Sequence, residues 1–371
     1  MRWFCVFIGQ WPGVSYKQKQ DIISQYLLNA QGLEKNGKFT EAIEAYSQVI
    51  KIDPENVYAI ESRAVLCLMS ARHDQAIADY SVLISKFPKQ YAFWLNRSIA
   101  FERKGDFSPA LDDIMMSITL KRDDVNLLSQ RASIYINSGN YDAASADIDA
   151  AIKLKRDSPA PWVEKSVLCF KLFDTDCLIS ASDQVLTFNP TSPSGYNNRG
   201  YGLILKGELD AAIKDLEQAK RLSPNWSYPV NNIALIHILR KEWPKAAVQL
   251  EIAKTLTPKA AEIYMNQGLL EIGLGKTDDA LISFTKSIEI DPMLPSAYLN
   301  RARLYLRKKE YDLALKDVNA AVKFNSRSYQ SLTLRSEIFD ILGRKGDAES
   351  DRQAAAQAKN AYPYNELRLN R

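Results

Sequence analysis

Six arginines each stand 16 residues ahead of an aspartate: Arg63 with Asp79, Arg97 with Asp113, Arg131 with Asp147, Arg199 with Asp215, Arg301 with Asp317, and Arg335 with Asp351. A guanidinium presents its N–H groups as a planar fork that matches the two oxygens of a carboxylate, so these couples suit bidentate ion pairs. Where the spacing of the chain predicts further couples, it carries Asn29 with Ala45, Lys165 with Ala181, Ile233 with Gln249, and Gln267 with Ser283, so neither partner occurs alone. Positions that keep or lose both members together imply contact between them. Common descent of the segments would also transmit the two together. The chemistry is structural: there is no nucleophile with its base, no further paired carboxylates and no phosphate loop to make an enzyme of it.

Amides form the second pattern. Asn198, Asn232, Asn266 and Asn300 follow one another at intervals of 34 residues, and Asn96 falls in the same register upstream. Each primary amide offers donors and an acceptor, so a row of them can hold the backbone of an extended peptide whatever its side chains. Tyr201, Leu235, Met265, Leu269 and Leu299 flank the row and would give it apolar walls. Packing of that stripe against the chain's own termini is the competing use. The four cysteines, Cys5, Cys67, Cys169 and Cys177, show no CxxC spacing and have only His73 and His237 for company, which argues against zinc. Cys67 and Cys169 occupy equivalent, apolar slots and are expected as free core thiols in a reducing compartment. The glycines between Gly200 and Gly207 fall inside a helical pattern, not in a strand-to-helix phosphate loop. No cofactor is expected.

The 34-residue interval is a property of the whole chain. Units start at Ile23, Val57, Tyr91, Val125, Pro159, Pro193, Ser227, Ala261, Pro295 and Tyr329, with no insertion. Within the unit 193–226, Tyr196, Gly200 and Leu203 are spaced as on a helix, Gly207 interrupts, Ala212, Leu216 and Ala219 resume, and Pro224 closes. Position 8 holds Ala, Ser or Gly in all ten units, and position 20 is Ala in all but the fifth, where it is Leu178. A large residue, a small one four later, a turn glycine, a second-helix alanine and a closing proline resemble the tetratricopeptide repeat (TPR). The resemblance covers residues 23–362 in ten repeats, flanked by an extension, 1–22, and a tail, 363–371.

The resemblance implies an all-α fold, a right-handed α-α superhelical solenoid of helix hairpins whose first (A) helices line a concave groove. It also places positions 2, 5, 6, 9, 12 and 13 toward a bound ligand. Asparagine at position 6 is common in the family, so the amide row has an inherited-consensus reading beside the ligand reading. No three successive repeats supply the lysines, arginine and asparagines of the carboxylate clamps that grip chaperone C-termini, so extended segments with apolar side chains are the expected partners. The function implied is a protein–protein interaction scaffold binding a peptide or protein segment in that groove. The alternative is an assembly or co-chaperone subunit acting through its outer face or termini.

Composition agrees with an array. Net charge is +4 with both signs interspersed and no long run of one sign, which gives no footprint for nucleic acid. No apolar stretch reaches the length of a membrane span, and stacked repeats share one continuous core, so one elongated domain is expected. The apolar run from Trp3 to Ile8 leaves three readings of the first residues: a signal segment, a flap docked on the first repeat, or a leader. A cytoplasmic setting is expected, with secretion the alternative. In the fifth repeat Phe173 replaces the turn glycine and Ser182 replaces a large apolar residue, which predicts a repacked interface or a looser junction.

Overall fold

The computed structural model describes residues 15–361, and among them it contains twenty α-helices and no strand. The chain divides into two compact units between Arg156 and Asp157. Each unit is described by itself. The first holds α1 (Tyr16–Lys35), α2 (Phe39–Ile52), α3 (Val57–Met69), α4 (His73–Lys86), α5 (Tyr91–Lys104), α6 (Phe107–Leu120), α7 (Val125–Asn137) and α8 (Tyr141–Leu154). The second holds α9 (Pro159–Lys171), α10 (Thr175–Phe188), α11 (Pro193–Lys206), α12 (Leu209–Leu222), α13 (Ser227–Leu239), α14 (Trp243–Leu256), α15 (Ala261–Gly273), α16 (Thr277–Ile290), α17 (Pro295–Arg307), α18 (Tyr311–Phe324), α19 (Tyr329–Ile341) and α20 (Lys345–Ala361). Odd-numbered helices are the A helices and pair with the next, and within each unit hairpin stacks on hairpin. The fold class is the all-α solenoid of helix hairpins.

From Val57 onward the A helices begin at the repeat starts, but α1 begins at Tyr16 instead of Ile23. Ser15 and Gln18 explain this: the Ser15 hydroxyl accepts from the Gln18 N–H while the Gln18 side chain accepts from the Ser15 N–H, a reciprocal cap that fixes the helix start. The proposed signal, flap or leader at residues 3–8 and the tail 363–371 lie outside the described residues.

The turn between A and B helices is the same in all ten hairpins. Position 15 has a left-handed backbone, with glycine there in six repeats and Ala71, Phe173, Lys241 and Lys309 in the other four. In each, the following N–H reaches back to the carbonyl at position 11, as in Glu208 to Leu203 at 2.9 Å and Asp174 to Cys169 at 2.9 Å. That six-to-one bond satisfies a carbonyl the helix end would leave orphaned. Phe173 therefore adopts the glycine's conformation and leaves the turn unchanged, at the steric cost of a side chain in the left-handed region.

Close approach of the two helices depends on position 8 and position 20. The alanines at position 20 are fully buried, and a Cβ added to Gly268 would stand 2.5 Å from Cε1 of Phe284. The fifth repeat is repacked by its neighbour: Leu178 fills the alanine slot, and a Cβ on Gly202 of α11 would meet Ile179 Cγ1 at 2.6 Å. Ser182 is buried without penalty because its hydroxyl donates to the Leu178 carbonyl at 2.7 Å. Helix stops survive where proline is missing. Lys121 has the extended backbone (φ −135°, ψ 89°) that Asp53 shows before Pro54, and Asp124 caps α7 through the Asn126 and Leu127 N–H groups. The same cap is not made at α9, which starts with Pro159 after an N-cap Ser158 whose side chain takes no part.

Candidate protein-binding face

The helix hairpin brings position 7 of the A helix against position 23 of the B helix. In all six Arg–Asp repeats, arginine Nε and Nη2 donate to the two carboxylate oxygens. The distances are 2.8 and 2.6 Å for Arg63 with Asp79, 2.7 and 2.7 Å for both Arg97 with Asp113 and Arg131 with Asp147, 2.6 and 2.8 Å for Arg199 with Asp215, 2.7 and 2.9 Å for Arg301 with Asp317, and 2.6 and 2.7 Å for Arg335 with Asp351. The six aspartates are all buried. The carboxylate hydrogen bond holds the guanidiniums of Arg131, Arg199 and Arg301 more firmly charged than in water.

A third contact was not foreseen. Nη1 crosses to position 25 of the preceding B helix: Arg63 to Ser47 (3.0 Å), Arg97 to Ser81 (2.9 Å), Arg199 to Asp183 (2.9 Å), Arg301 to Thr285 (3.0 Å) and Arg335 to Asn319 (3.2 Å). The equivalent position ahead of Arg131 is Met115, whose side chain has no oxygen to offer. Each of the other five arginines thus joins three helices. The signal in the sequence is a column of acceptors of mixed type, which a search for identical residues passes over.

Asn198, Asn232, Asn266 and Asn300 occupy one register of α11, α13, α15 and α17, and Asn96 the same register of α5. Their amides are partly engaged by the stack itself. Asn198 Nδ2 donates to Ser166 Oγ at 3.0 Å, Asn232 to Asn197 Oδ1 at 3.0 Å, and Asn266 to Asn231 Oδ1 at 2.9 Å. Asn300 donates to the Ser296 carbonyl in its own helix, and its oxygen accepts from Arg303. Asn197 and Asn231, at position 5, are the partners that the sequence reading left out. Asn232, Asn266 and Asn300 are buried, while Asn96 and Asn198 are half-buried. Asn266 is 1% exposed and its Oδ1 has no hydrogen-bond donor among the described residues. Of the residues expected as walls, Leu235, Met265, Leu269 and Leu299 are buried in the repeat cores, and Tyr201 is half-buried.

What the A helices leave open is a strip along position 2, widened in some repeats by position 9 or 12, as at Tyr201 and Phe170, and closed there in others by the buried Leu235, Leu269, Ile204 and Ile238. Position 9 of one repeat reaches position 2 of the next: Gln31 Nε2 donates to the Tyr58 hydroxyl at 2.9 Å, and Arg303 Nη2 to Gln330 Oε1 at 2.5 Å. Over α9, α11 and α13 the strip carries aromatic side chains. Phe170 packs edge-on to Tyr201 with ring centroids 5.4 Å apart, and Tyr228, the position-2 residue that follows Tyr201, is 43% exposed. Burial pushes the Tyr201 hydroxyl up to about 12, with Glu262 adding to the shift, and both effects also raise Tyr228. In the first unit Glu102 closes part of the strip by accepting from Gln130, from Ser133 at 2.8 Å and from Asn137 at 2.7 Å.

The cysteines depart from expectation. Cys169 is disulfide-bonded to Cys177 across the α9–α10 hairpin, with the Cα atoms 5.6 Å apart, a separation suited to such a bridge. It is therefore not the free core thiol that its slot suggested, and a spacing of eight carried no recognisable motif. Cys67 is free and buried. Among the described residues no group of three or more His, Cys, Asp or Glu could hold a metal ion, and no helix is long and apolar enough to cross a membrane.

Tandem 34-residue hairpins with a shared left-handed turn define a helical-repeat protein of the interaction-scaffold class. The chain belongs to the tetratricopeptide-repeat family: family models described as tetratricopeptide repeat match residues 27–91, 125–158, 193–225 and 265–331, together more than half of it. It is 33% identical over 88 residues, 24% of its length, to human tetratricopeptide repeat protein 6. It is 26% identical over 100 residues, 27% of its length, to the tetratricopeptide repeat and J domain-containing co-chaperone DNJ1 of Cryptococcus neoformans var. grubii. The matched segments span 17% and 19% of those relatives, less than a fifth of their length. Among solved structures, the APC/C hetero-tetramer Cut9–Hcn1 superposes with a TM-score of 0.60 at 14% identity, over 94% of this chain and 76% of that one, which shows a shared fold.

Proposed function

We propose that the chain is a scaffold that holds an extended segment of a partner protein along the A-helix strip of its second unit. The observation that carries this reading is the aromatic group Phe170, Tyr201 and Tyr228 on three successive A helices, with Phe170 and Tyr228 more than two-fifths exposed. Rigid aromatic side chains supply much contact area for little conformational entropy, and they anchor most protein interfaces. Asn198, half-buried on α11 with Tyr201, is the most accessible asparagine of the row in this unit, and a bound backbone would exchange with its bonds to Ser166 and Asn197. Asn232 and Asn266 contribute by holding α11, α13 and α15 in register. A single amide hydrogen bond is worth on the order of 1 kcal/mol, so affinity comes from the row as a whole.

A photo-crosslinking amino acid at residue 228, on the strip, and another at residue 248, on the B helix α14, test the proposal with peptides selected from a random dodecapeptide library. Crosslinks at 228 and not at 248 are expected. The opposite pattern refutes the groove and favours the second reading, a subunit of a fixed assembly working through its outer face. That reading draws on the exposed Val82, Met115, Met116 and Leu120 of α4 and α6.

A further inference from the structure

Among the acidic side chains along the strip, Glu262 has surroundings that select the partner's chemistry. We propose that Glu262 receives a basic side chain, lysine or arginine, of the bound segment, with Tyr201 and Tyr228 framing the cation. The inference rests on the groove reading and specifies what the groove prefers.

Glu262 lies in the first turn of α15 at position 2, one repeat beyond Tyr228, and it is half-buried. Among the described residues no hydrogen bond or ion pair engages its carboxylate, although the comparable Gln330 and Tyr58 at position 2 are both taken by the preceding repeat. The difference has a cause in the sequence: the preceding position 9, Gln31 or Arg303 in those two places, is here Leu235, which has nothing to donate. The carboxylate is consequently an acceptor without a donor, partly withdrawn from water, where a missing partner is costly.

Asn266 supplies an independent observation. It stands four residues on from Glu262, hence on the same face of α15, and its Oδ1 is a second acceptor, buried and undonated. The oxygen assignment follows from the backbone carbonyl of Asn231, which can only accept and lies 3.3 Å from Nδ2. Asn266 is 1% exposed, so Glu262 is the acceptor of this helix face that a ligand meets, and its unengaged charge calls for the donors of an ammonium or a guanidinium, which an apolar side chain does not supply. The neighbouring aromatic hydroxyls agree. Tyr201 and Tyr228 both feel the Glu262 carboxylate, which adds to the rise of both hydroxyls, and Asp291 adds further negative charge at Tyr228. A cation between the rings and the carboxylate would gain from both the ring faces and the charge.

The preference differs from that read in the sequence, which placed only apolar walls along the row. The walls proved to be buried, and Glu262 is what the strip exposes in their place.

The test uses the full chain, a random dodecapeptide library displayed on phage, and the variant Glu262→Gln. Peptides selected on the parent chain should be enriched in lysine or arginine at one register. Replacing that residue by citrulline or norleucine should weaken binding about ten- to hundredfold, the range of a hydrogen bond to a charged group. Selection on Glu262→Gln should lose the enrichment while the melting temperature shows that the fold is kept. A loss of stability with unchanged selectivity would mean that Glu262 serves only the α15 N-terminus, and would overturn the proposal. Selected peptides with no basic preference would overturn it and leave the groove standing. A chain that selects nothing would overturn both.

Discussion

Removing one member of an Arg–Asp pair is expected to cost far more than removing both, and Arg301 with Asp317 is the pair on which to measure it. Asp317 is 3% exposed, and its two oxygens take Nε and Nη2 of Arg301 at 2.7 and 2.9 Å. Asp317→Ala leaves the guanidinium with Thr285 Oγ1 at 3.0 Å and the rings of Tyr298 and Tyr305 at 5.9 and 5.8 Å, none of which carries charge. An uncompensated charge in such a site costs about 3–5 kcal/mol, and Arg301→Met, which strands the carboxylate, should cost a similar amount. The double variant Arg301→Met/Asp317→Leu removes both charges and keeps the volume, so it should lie within about 1 kcal/mol of the parent. The interaction energy from the cycle would then exceed about 3 kcal/mol. Long arrays unfold piecewise, so a global melting curve reports that the fold is kept but does not isolate the energy of one repeat. Native-state hydrogen exchange at the slow amides of α17 and α18 reads the local free energy instead. Single variants whose effects add to that of the double within about 0.5 kcal/mol would refute the coupling.

At the turn, Lys309→Gly removes a side chain from a left-handed residue (φ 62°) and should gain about 0.5–1 kcal/mol, while Gly207→Ala (φ 83°) should lose about 1 kcal/mol; chemical denaturation of the two variants gives the sign. Gly268→Ala forces a methyl onto the Phe284 ring and should destabilise by about 1–3 kcal/mol, with Phe284→Leu in the same chain recovering most of the loss. Burial pushes the Cys67 thiol up to about 11 and the Tyr201 hydroxyl up to about 12, above the values of 9.0 and 10.0 for the free groups. The folded chain therefore keeps protons that the unfolded chain releases, so stability should be insensitive to these groups at neutral pH and fall as pH rises from about 9 toward 12. Tyr201→Phe should flatten the upper part of that decline in melts taken at stepped pH.

Regular features were legible because each repeats one physical requirement ten times. Ala at position 20 and Ala, Ser or Gly at position 8 mark where two backbones must approach, and no other arrangement of 34-residue units needs both. Contacts between unlike columns were harder to see. The acceptors Ser47, Ser81, Asp183, Thr285 and Asn319 share a property and no identity, so the third arm of each arginine was invisible. Asn198, Asn232, Asn266 and Asn300 share one register of the A helices, but sequence could not show that Asn197 and Asn231 would take up the donors of Asn232 and Asn266. The left-handed conformation of Phe173 and Lys241 is imposed by the hairpin on either side, against local preference. Glu262 carried no mark in the sequence because what distinguishes it is Leu235 in the repeat before.

The three-way arginine contact orders the birth of the chain. Ser47, Arg63 and Asp79 are separated by two equal intervals of 16 residues, as are Ser81, Arg97 and Asp113. A ribosome delivers the acceptor on the finished B helix first, then the arginine, then the aspartate. At about 5–20 residues per second each step trails the last by roughly 1–3 s. A nascent A helix thus meets a docking point on the repeat already made, and the carboxylate that completes the fork comes from the helix next to emerge. The repeats of Arg63, Arg97, Arg199, Arg301 and Arg335 can each be fastened twice as they emerge, backward and then forward. In the repeat of Arg131, where Met115 offers no oxygen, only the forward fastening exists.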